Sequence, residues 1–272
     1  MAFKGRNAKR HASGAGPTAT VGDAETYVIY GVMPVLEILR ASAGRIRKIA
    51  VSNARSDQHT SEILDVAKRS GVPVNRLARS EIAELVPAGV NHQGIAAFVK
   101  TAEYASADDI IKKAENDPNA MFLVLDGIED PRNLGAILRT AECAGVTGIF
   151  LPERRAAGLT DTAVKSAAGA AALVDVAKVK NQNRLIEELK SKGIWVVGAA
   201  GDGELEYSEW DFCQKTAIVL GSEGKGLHRL TAEKCDILVK IPMSGRISSL
   251  NVSVAAGVLL YEAVRQRKLK KV

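Results

Sequence analysis

Cysteine is scarce in this chain of 272 residues: Cys143, Cys213 and Cys235 are the whole supply, and they lie far apart. No paired spacing links them, so neither a disulfide framework nor a cysteine-based metal site is expected, and a reducing compartment is the natural setting. Aromatic residues make up only 4%, which excludes base stacking as the main way of holding a nucleic acid. Long apolar runs are missing too. The uncharged stretch Ile247–Tyr261 has 15 residues, short of the roughly 20 that a membrane-spanning helix needs. The basic N-terminus has no apolar segment behind it and does not read as a secretory signal, so a cytoplasmic protein is expected. His11, His59, His92 and His228 show no ligand spacing, and no metal is expected.

What is present is ordinary in amount and uneven in place. The content of 46% hydrophobic and 25% charged residues suits a globular protein. The net charge of +6 sits at the ends: Lys4, Arg6, Lys9 and Arg10 in residues 1–22, and Arg265, Arg267, Lys268, Lys270 and Lys271 in residues 263–272, with no acid in either stretch. The body between them is therefore slightly acidic. Basic ends on such a body suit a polyanion, whose neutralisation releases counterions; solvated tails that only aid solubility would look the same.

Residues 1–26 are rich in small and basic residues and read as a disordered tail. Residues 27–102 read as a small α/β unit, with a helix from Met33 to Arg40, a strand from Ile46 to Val51, a helix from Ser61 to Ser70 and a strand from Gly94 to Val99. Residues 103–119 are polar and acidic and read as a linker with a short helix. From 120 to 272 the pattern becomes regular. Apolar runs at Met121–Leu125, Gly148–Leu151, Ile194–Gly198, Ala217–Leu220 and Ile237–Ile241 alternate with helical stretches at Leu134–Ala144, Asp161–Ala168, Leu185–Ser191, Leu227–Lys234 and Leu250–Arg267. That alternation predicts an α/β fold with a parallel sheet covered on both faces.

In such a sheet the loops after strands hold the ligands. Gly201-Asp202-Gly203 lacks the third glycine of a dinucleotide fingerprint, because Glu206 stands there. Gly221-Ser222-Glu223-Gly224-Lys225-Gly226 is too short for a phosphate-binding P-loop, and Gly226 offers no hydroxyl after the lysine. What remains is a tight turn that carries one carboxylate, Glu223.

Three segments point further. The first runs from Leu125 to Thr140 and contains Asp130-Pro131-Arg132-Asn133-Leu134-Gly135 and Arg139; the second is Ile218–Leu227; the third is Ile241-Pro242-Met243 followed by Ser248-Ser249-Leu250-Asn251-Val252-Ser253. In these blocks, in their order and spacing, the chain closely resembles the SpoU/TrmH family of SPOUT-class RNA ribose 2′-O-methyltransferases. Tyr30-Gly31 and Asn91-His92-Gln93-Gly94-Ile95-Ala96 resemble the ribosomal-protein-like substrate-binding domain of the family's rRNA branch, which acts on a guanosine of bacterial 23S rRNA. Met33-Pro34 departs from the His-Ala common at that point in the branch.

The resemblance implies S-adenosylmethionine as cofactor, bound in a deep trefoil knot of the C-terminal SPOUT domain by Ala199, Gly221, Ile241, Met243 and Leu250, largely through backbone contacts. It implies Asn133, Arg139, Glu223, Ser249 and Asn251 as catalytic residues. A guanidinium is essentially always protonated, so Arg139 is expected to stabilise the developing alkoxide or orient the hydroxyl rather than act as base. Glu223 is expected to orient Arg139 or a backbone amide. Asn133 could also cap its helix, and Ser249 and Asn251 could cap the last one. The family also implies a C2 homodimer, which suits a final helix that is apolar on nearly every side from Val252 to Leu260. RNA is the expected partner, with Arg45, Arg47, Lys48, Arg76 and Arg79 as candidate phosphate contacts. A tRNA guanosine methyltransferase, and a non-catalytic RNA-binding or ribosome-assembly protein, are the alternative readings.

Overall fold

The structure, a computed structural model, describes residues 26–100 and 103–270; the expected tail up to residue 25 lies outside them. The first unit contains β1 (Thr26–Tyr30), α1 (Val32–Ser42), β2 (Ile46–Ser52), α2 (Gln58–Arg69), β3 (Val74–Leu77), α3 (Arg79–Glu84) and β4 (Ile95–Lys100). Its four strands form a mixed sheet in the order β1-β4-β2-β3, in which only β2 and β3 are parallel. Gly31 enters α1 at φ 95°, a left-handed conformation that favours glycine, and the Val32 amide beyond it donates to Gln93 Oε1 at 3.0 Å. Tyr-Gly and His-Gln-Gly, far apart in sequence, thus meet at one turn. Asp57 caps α2 by accepting from the Thr60 amide at 2.8 Å.

The second unit follows with α4 (Ala107–Lys113), β5 (Met121–Asp126), α5 (Pro131–Cys143), β6 (Gly148–Pro152), α6 (Asp161–Ser166), β7 (Val176–Val179), α7 (Gln182–Ser191), β8 (Trp195–Ala199), β9 (Leu205–Glu206), β10 (Thr216–Gly221), α8 (Arg229–Lys234), β11 (Ile237–Lys240) and α9 (Val252–Lys270). Its seven strands are parallel throughout, in the order β7-β6-β5-β10-β8-β11-β9. Every residue of β5 is buried, because neighbours flank it on both edges and helices cover both faces; that is why it reads as a continuous apolar run. The sequence pattern did not indicate β7 and β9, which are short and lie at the ends of the sheet. The segment expected to join the units contains α4, whose Ile110 and Ile111 are buried with Phe122 and Phe150 beneath the sheet.

Asp130 caps α5, accepting from the Arg132 amide at 2.7 Å, and Pro131 occupies the first helical position, where its missing N–H costs nothing. Asn133 is therefore not the cap of this helix, and its side chain is released for other contacts. Leu134, Ile137, Leu138 and Ala141 form the buried stripe. The two units share apolar packing: α1 is buried in the same cluster as Ala170–Ala172, and Arg45 Nη1 donates to the Ala171 carbonyl at 3.5 Å.

The basic C-terminal stretch is partly structural. Arg267, on α9, donates to the carbonyls of Phe212 at 2.8 Å, Asn119 at 2.6 Å and Gln214 at 3.2 Å, and Arg265 pairs with Glu262. Arg267 is thus spent on tying loop carbonyls, not on a polyanion. Among the described residues no helix is long and apolar enough to cross a membrane, the three cysteines are unbridged, and no group of three or more His, Cys, Asp and Glu could hold a metal ion.

Gly135 marks the tightest helix contact. A Cβ there would lie 2.4 Å from Ser166 Cβ and 2.5 Å from the Ala163 carbonyl oxygen, so α5 and α6 would have to separate. Gly135→Ala is expected to lower stability by roughly 1–3 kcal/mol despite alanine's better helix propensity; urea unfolding measures this, and a more stable variant would contradict the packing described.

Candidate active site

The chain leaves β5 for β6 and then β7 on one side, whereas β10 and β8 lie on the other. The order of the parallel sheet reverses between β5 and β10, and the loops at their carboxyl ends part to leave a crevice. Around it stand residues 127–130 after β5, 222–228 after β10, and 241–251 between β11 and α9.

The loop after β10 closes on itself. The Ser222 amide donates to the Gly226 carbonyl and the Gly226 amide to the Ser222 carbonyl, both at 2.9 Å. A Cβ at Gly221 would lie 2.1 Å from the Gly226 carbonyl carbon, so glycine is obligatory there for the fold of the loop itself. Asp126, at the end of β5 and buried, fastens the loop from the other side: Oδ2 accepts from the His228 amide at 2.9 Å, and Oδ1 lies 2.8 Å from His228 Nδ1. The turn is thus held rigidly with Glu223 and Lys225 projecting from it.

Two cavities adjoin at this turn. The larger, about 710 Å³, has Ala199, Gly221, Ile241, Met243 and Leu250 among its lining residues, so all five residues expected to hold the cofactor meet there; Ser249 lines it as well. Met243 and Leu250 are 37% and 40% exposed, an unusual state for large apolar side chains unless a ligand covers them. A cavity of this size, with apolar side chains beside Ser222, Glu223 and Lys225, fits a nucleoside-sized molecule. The smaller cavity, about 320 Å³, is lined by residues that include Gly127, Asp130 and Asn133. Ser222, Glu223 and Lys225 line both, so the turn after β10 forms the wall between them.

On that wall three of the expected catalytic residues join. Glu223 Oε1 accepts from Asn133 Nδ2 and, at 3.0 Å, from Asn251 Nδ2, and Asn251 Nδ2 also faces Asn133 Oδ1 at 3.1 Å. Each residue comes from a different block, and Asn133 and Asn251 are 118 positions apart. Asn251 also precedes α9, where its Oδ1 accepts from the Ser253 amide at 2.9 Å and the Ser253 hydroxyl at 2.5 Å. One amide therefore caps the last helix and ties it to the cluster. The helix begins at Val252, later than the sequence suggested, and Ser249 lies in the loop before it.

Arg139 stands apart. It is exposed, lines neither cavity, and makes no side-chain hydrogen bond or ion pair with the described residues. Glu223 is engaged by the two asparagines instead. Of the candidate RNA contacts, Arg76 is committed to the carbonyls of Ser52 and Arg55, Lys48 sits over the Phe98 ring at 4.5 Å, and Arg79 is exposed. Sequence reasoning missed Asp126 and His228. The available signal was an aspartate that ends an otherwise apolar strand, since a buried charge needs a partner.

The SpoU rRNA Methylase family matches residues 120–261, and the family described as RNA 2′-O ribose methyltransferase substrate binding matches residues 28–105. The chain is 43% identical to the 23S rRNA (guanosine-2′-O-)-methyltransferase RlmB of Pseudomonas putida, covering 89% of this chain and 98% of that protein. It is 41% identical to the protein of the same name from Vibrio cholerae, covering 88% and 97%. Among solved structures, the SpoU methyltransferase AviRb from Streptomyces viridochromogenes in complex with the cofactor AdoMet matches with a TM-score of 0.71 at 25% identity, over 90% of this chain and 91% of that one. The A. aeolicus TrmH/SpoU tRNA modifying enzyme matches with a TM-score of 0.52 at 30% identity, over 61% of this chain and 84% of that one.

The double duty of Asn251 is measurable. Asn251→Ala is expected to cost about 1 kcal/mol, the usual value of a helix cap, whereas Ser249→Ala stays within about 0.5 kcal/mol of the parent as an exposed loop substitution. Denaturation of the two variants side by side checks this; equal stabilities would remove the capping role.

Proposed function

The chain belongs to the SpoU rRNA methylase family and is an S-adenosylmethionine-dependent RNA 2′-O-ribose methyltransferase, and from that premise we propose that its target is a guanosine of 23S rRNA. Relatives that bear that activity in their name align over nearly their whole length and most of this chain, including the first unit. The tRNA modifying enzyme covers only 61% of this chain, which favours the rRNA reading over the tRNA one. The observation that carries the chemical assignment is the Asn133–Glu223–Asn251 cluster on the wall between the two cavities.

S-adenosylmethionine supplies an already activated methyl group, so the protein's task is alignment and care of the nucleophile. In this reading the larger cavity holds the cofactor, with Ile241, Met243 and Leu250 excluding water and the backbone at Ala199 and Gly221 allowing close approach. The smaller cavity receives the target nucleoside. Asn133, Glu223 and Asn251 fix the distance between the two ligands, since the hydrogen bonds among them lock the first turn of α5 to two separate loops, and Ser249 lies at the cofactor's side of the wall. With the cofactor bound, the ribose oxygen would gain the methyl group as the sulfonium S–CH3 bond breaks, leaving neutral S-adenosylhomocysteine, and the ribose hydroxyl would release its proton to water; the guanidinium of Arg139 would stabilise the negative charge that develops on the oxygen.

For Arg139 to do so, another copy of the chain must bring it. Its exposure and its distance from the lining of either cavity support that arrangement. So does α9, where Val254 and Tyr261 are 50% and 52% exposed and Val258 is half-buried between them; the spacing puts all three on one face. We therefore include a C2 homodimer in the proposal. The trefoil knot belongs to it as well: residues 241–251 carry the chain from β11 back across the ends of β10 and β5, where Asn251 bonds to Glu223 and Asn133. The reaction takes place in the cytoplasm, where the ribosome is made.

Tritiated methyl transfer to unmodified 23S rRNA, followed by digestion to nucleosides, is expected to yield 2′-O-methylguanosine; label in bulk tRNA alone would overturn the target. Arg139→Ala is expected to keep cofactor affinity and lose on the order of 10²–10³ in turnover, the usual loss when a charge-stabilising group is removed. Unchanged turnover would remove the assigned role. Sedimentation should give twice the chain mass, and Tyr261→Glu should shift it towards the monomer and lower transfer with it.

A further inference from the structure

Several cations at the amino edge of the second unit's sheet are engaged: Lys113 with Asp175, Lys190 with Asp236, Lys192 with Glu115, Lys215 with the Ala114 carbonyl, and Arg267 with three carbonyls. At the carboxyl edge, beyond β6 and β7, Arg154, Arg155, Lys180 and Arg184 are all exposed, and their side chains make no hydrogen bond or ion pair with the described residues. Unpaired, exposed cations gathered on the same edge as the crevice are what a polyanion needs.

The loop that carries Arg154 and Arg155 is not loose. The Glu153 amide donates to the Val179 carbonyl at 3.0 Å and the Ala157 amide to the Ile128 carbonyl at 2.7 Å, and the Leu159 amide donates to Tyr104 Oη at 2.8 Å. Ile128 lines the smaller cavity, so the loop is bonded directly to the wall of the crevice. On the other side Gln182, at the start of α7, donates to the Leu125 carbonyl at 2.8 Å and fixes the segment between Lys180 and Arg184. Between these ties Arg155 holds φ 56°, a left-handed conformation that glycine adopts freely and arginine does not. A strained arginine where glycine would be easier, in a loop pinned beside a binding crevice, points to use of its side chain.

We propose that the loops after β6 and β7, through Arg154, Arg155, Lys180 and Arg184, form a phosphate-binding track that leads the RNA strand from the smaller cavity along the carboxyl edge of the sheet. The proposal rests on the reading of that cavity as the site of the target nucleoside. Neighbouring strands lie about 4.8 Å apart, so loops that leave adjacent strands present their cations side by side. The track holds the backbone and reads no bases, in keeping with the shortage of aromatics. Glu129, Asp130, Glu153 and Glu223 are exposed acids of this edge; they disfavour phosphates directly over the crevice floor and leave the outer loops as the attractive path.

The test is direct binding of an unmodified 23S rRNA transcript as a function of salt, with methyl transfer measured in parallel. Replacing Arg154 and Arg155 by glutamine is expected to weaken RNA binding at least tenfold near 0.15 M salt. The slope of log affinity against log salt should fall by about 1.5, since each phosphate contact accounts for about 0.7–0.9. Cofactor affinity should not change, and turnover at saturating RNA should stay within twofold. Lys180→Gln with Arg184→Gln should behave alike, and Lys192→Gln at the amino edge should leave RNA affinity unchanged. Arg155→Gly relieves the backbone and should melt higher while binding RNA more weakly. Wild-type RNA affinity and salt slope in the glutamine variants would overturn the track, with methylation by the parent left standing. Absent methylation by the parent, with RNA binding still lost in the variants, would overturn the cavity assignment and retain the surface.

Discussion

Between β5 and β10 a parallel sheet changes direction, and two loops that would otherwise run side by side are forced apart. Everything at the site follows from how that gap is managed. A crevice at a strand-order reversal is open to solvent and floppy unless its walls are tied, and here the ties are few and short. Asp126 grips the start of α8 with both carboxylate oxygens, while the turn after β10 folds back so closely that Gly221 has no room for a Cβ. With the wall rigid, Glu223 stands at a fixed point, and Asn133 and Asn251 can be brought to it from opposite ends of the domain.

The same constraint links stability to chemistry. Asn251 uses its carbonyl oxygen to start α9 and its amide nitrogen to bind Glu223 and Asn133, so the last helix cannot shift without disturbing the wall between the cavities. Asp130, by taking the capping position of α5, leaves Asn133 free to face the crevice. Arg139, on the same helix, faces elsewhere. The cluster within one chain is therefore ordered without Arg139.

How far the sequence reveals this depends on whether the cause is local. Strands buried between neighbours appear as apolar runs and α5 carries its apolar stripe within a few turns, so both are legible, although the helix starts at Pro131 under the Asp130 cap rather than at Asn133. The residues of the larger cavity were grouped by resemblance; composition alone would assign Ile241, Met243 and Leu250 to the core, and only the fold shows two of them exposed at a cavity. The short edge strands β7 and β9 escaped because four and two residues carry too little pattern. The Asp126–His228 contact, the hold of Arg267 on three carbonyls, and the gathering of unpaired cations beyond β6 and β7 depend on long-range placement, which no window along the chain contains.

The most direct test of the account is a structure with S-adenosylmethionine or a non-reactive analogue bound. The account predicts the adenosine in the larger cavity against Gly221, Ile241 and Leu250, with the transferable group directed past Glu223 toward Asn133 and the smaller cavity. A cofactor seated elsewhere on the sheet, or one whose methyl position points away from the Asn133–Glu223–Asn251 wall, would contradict it.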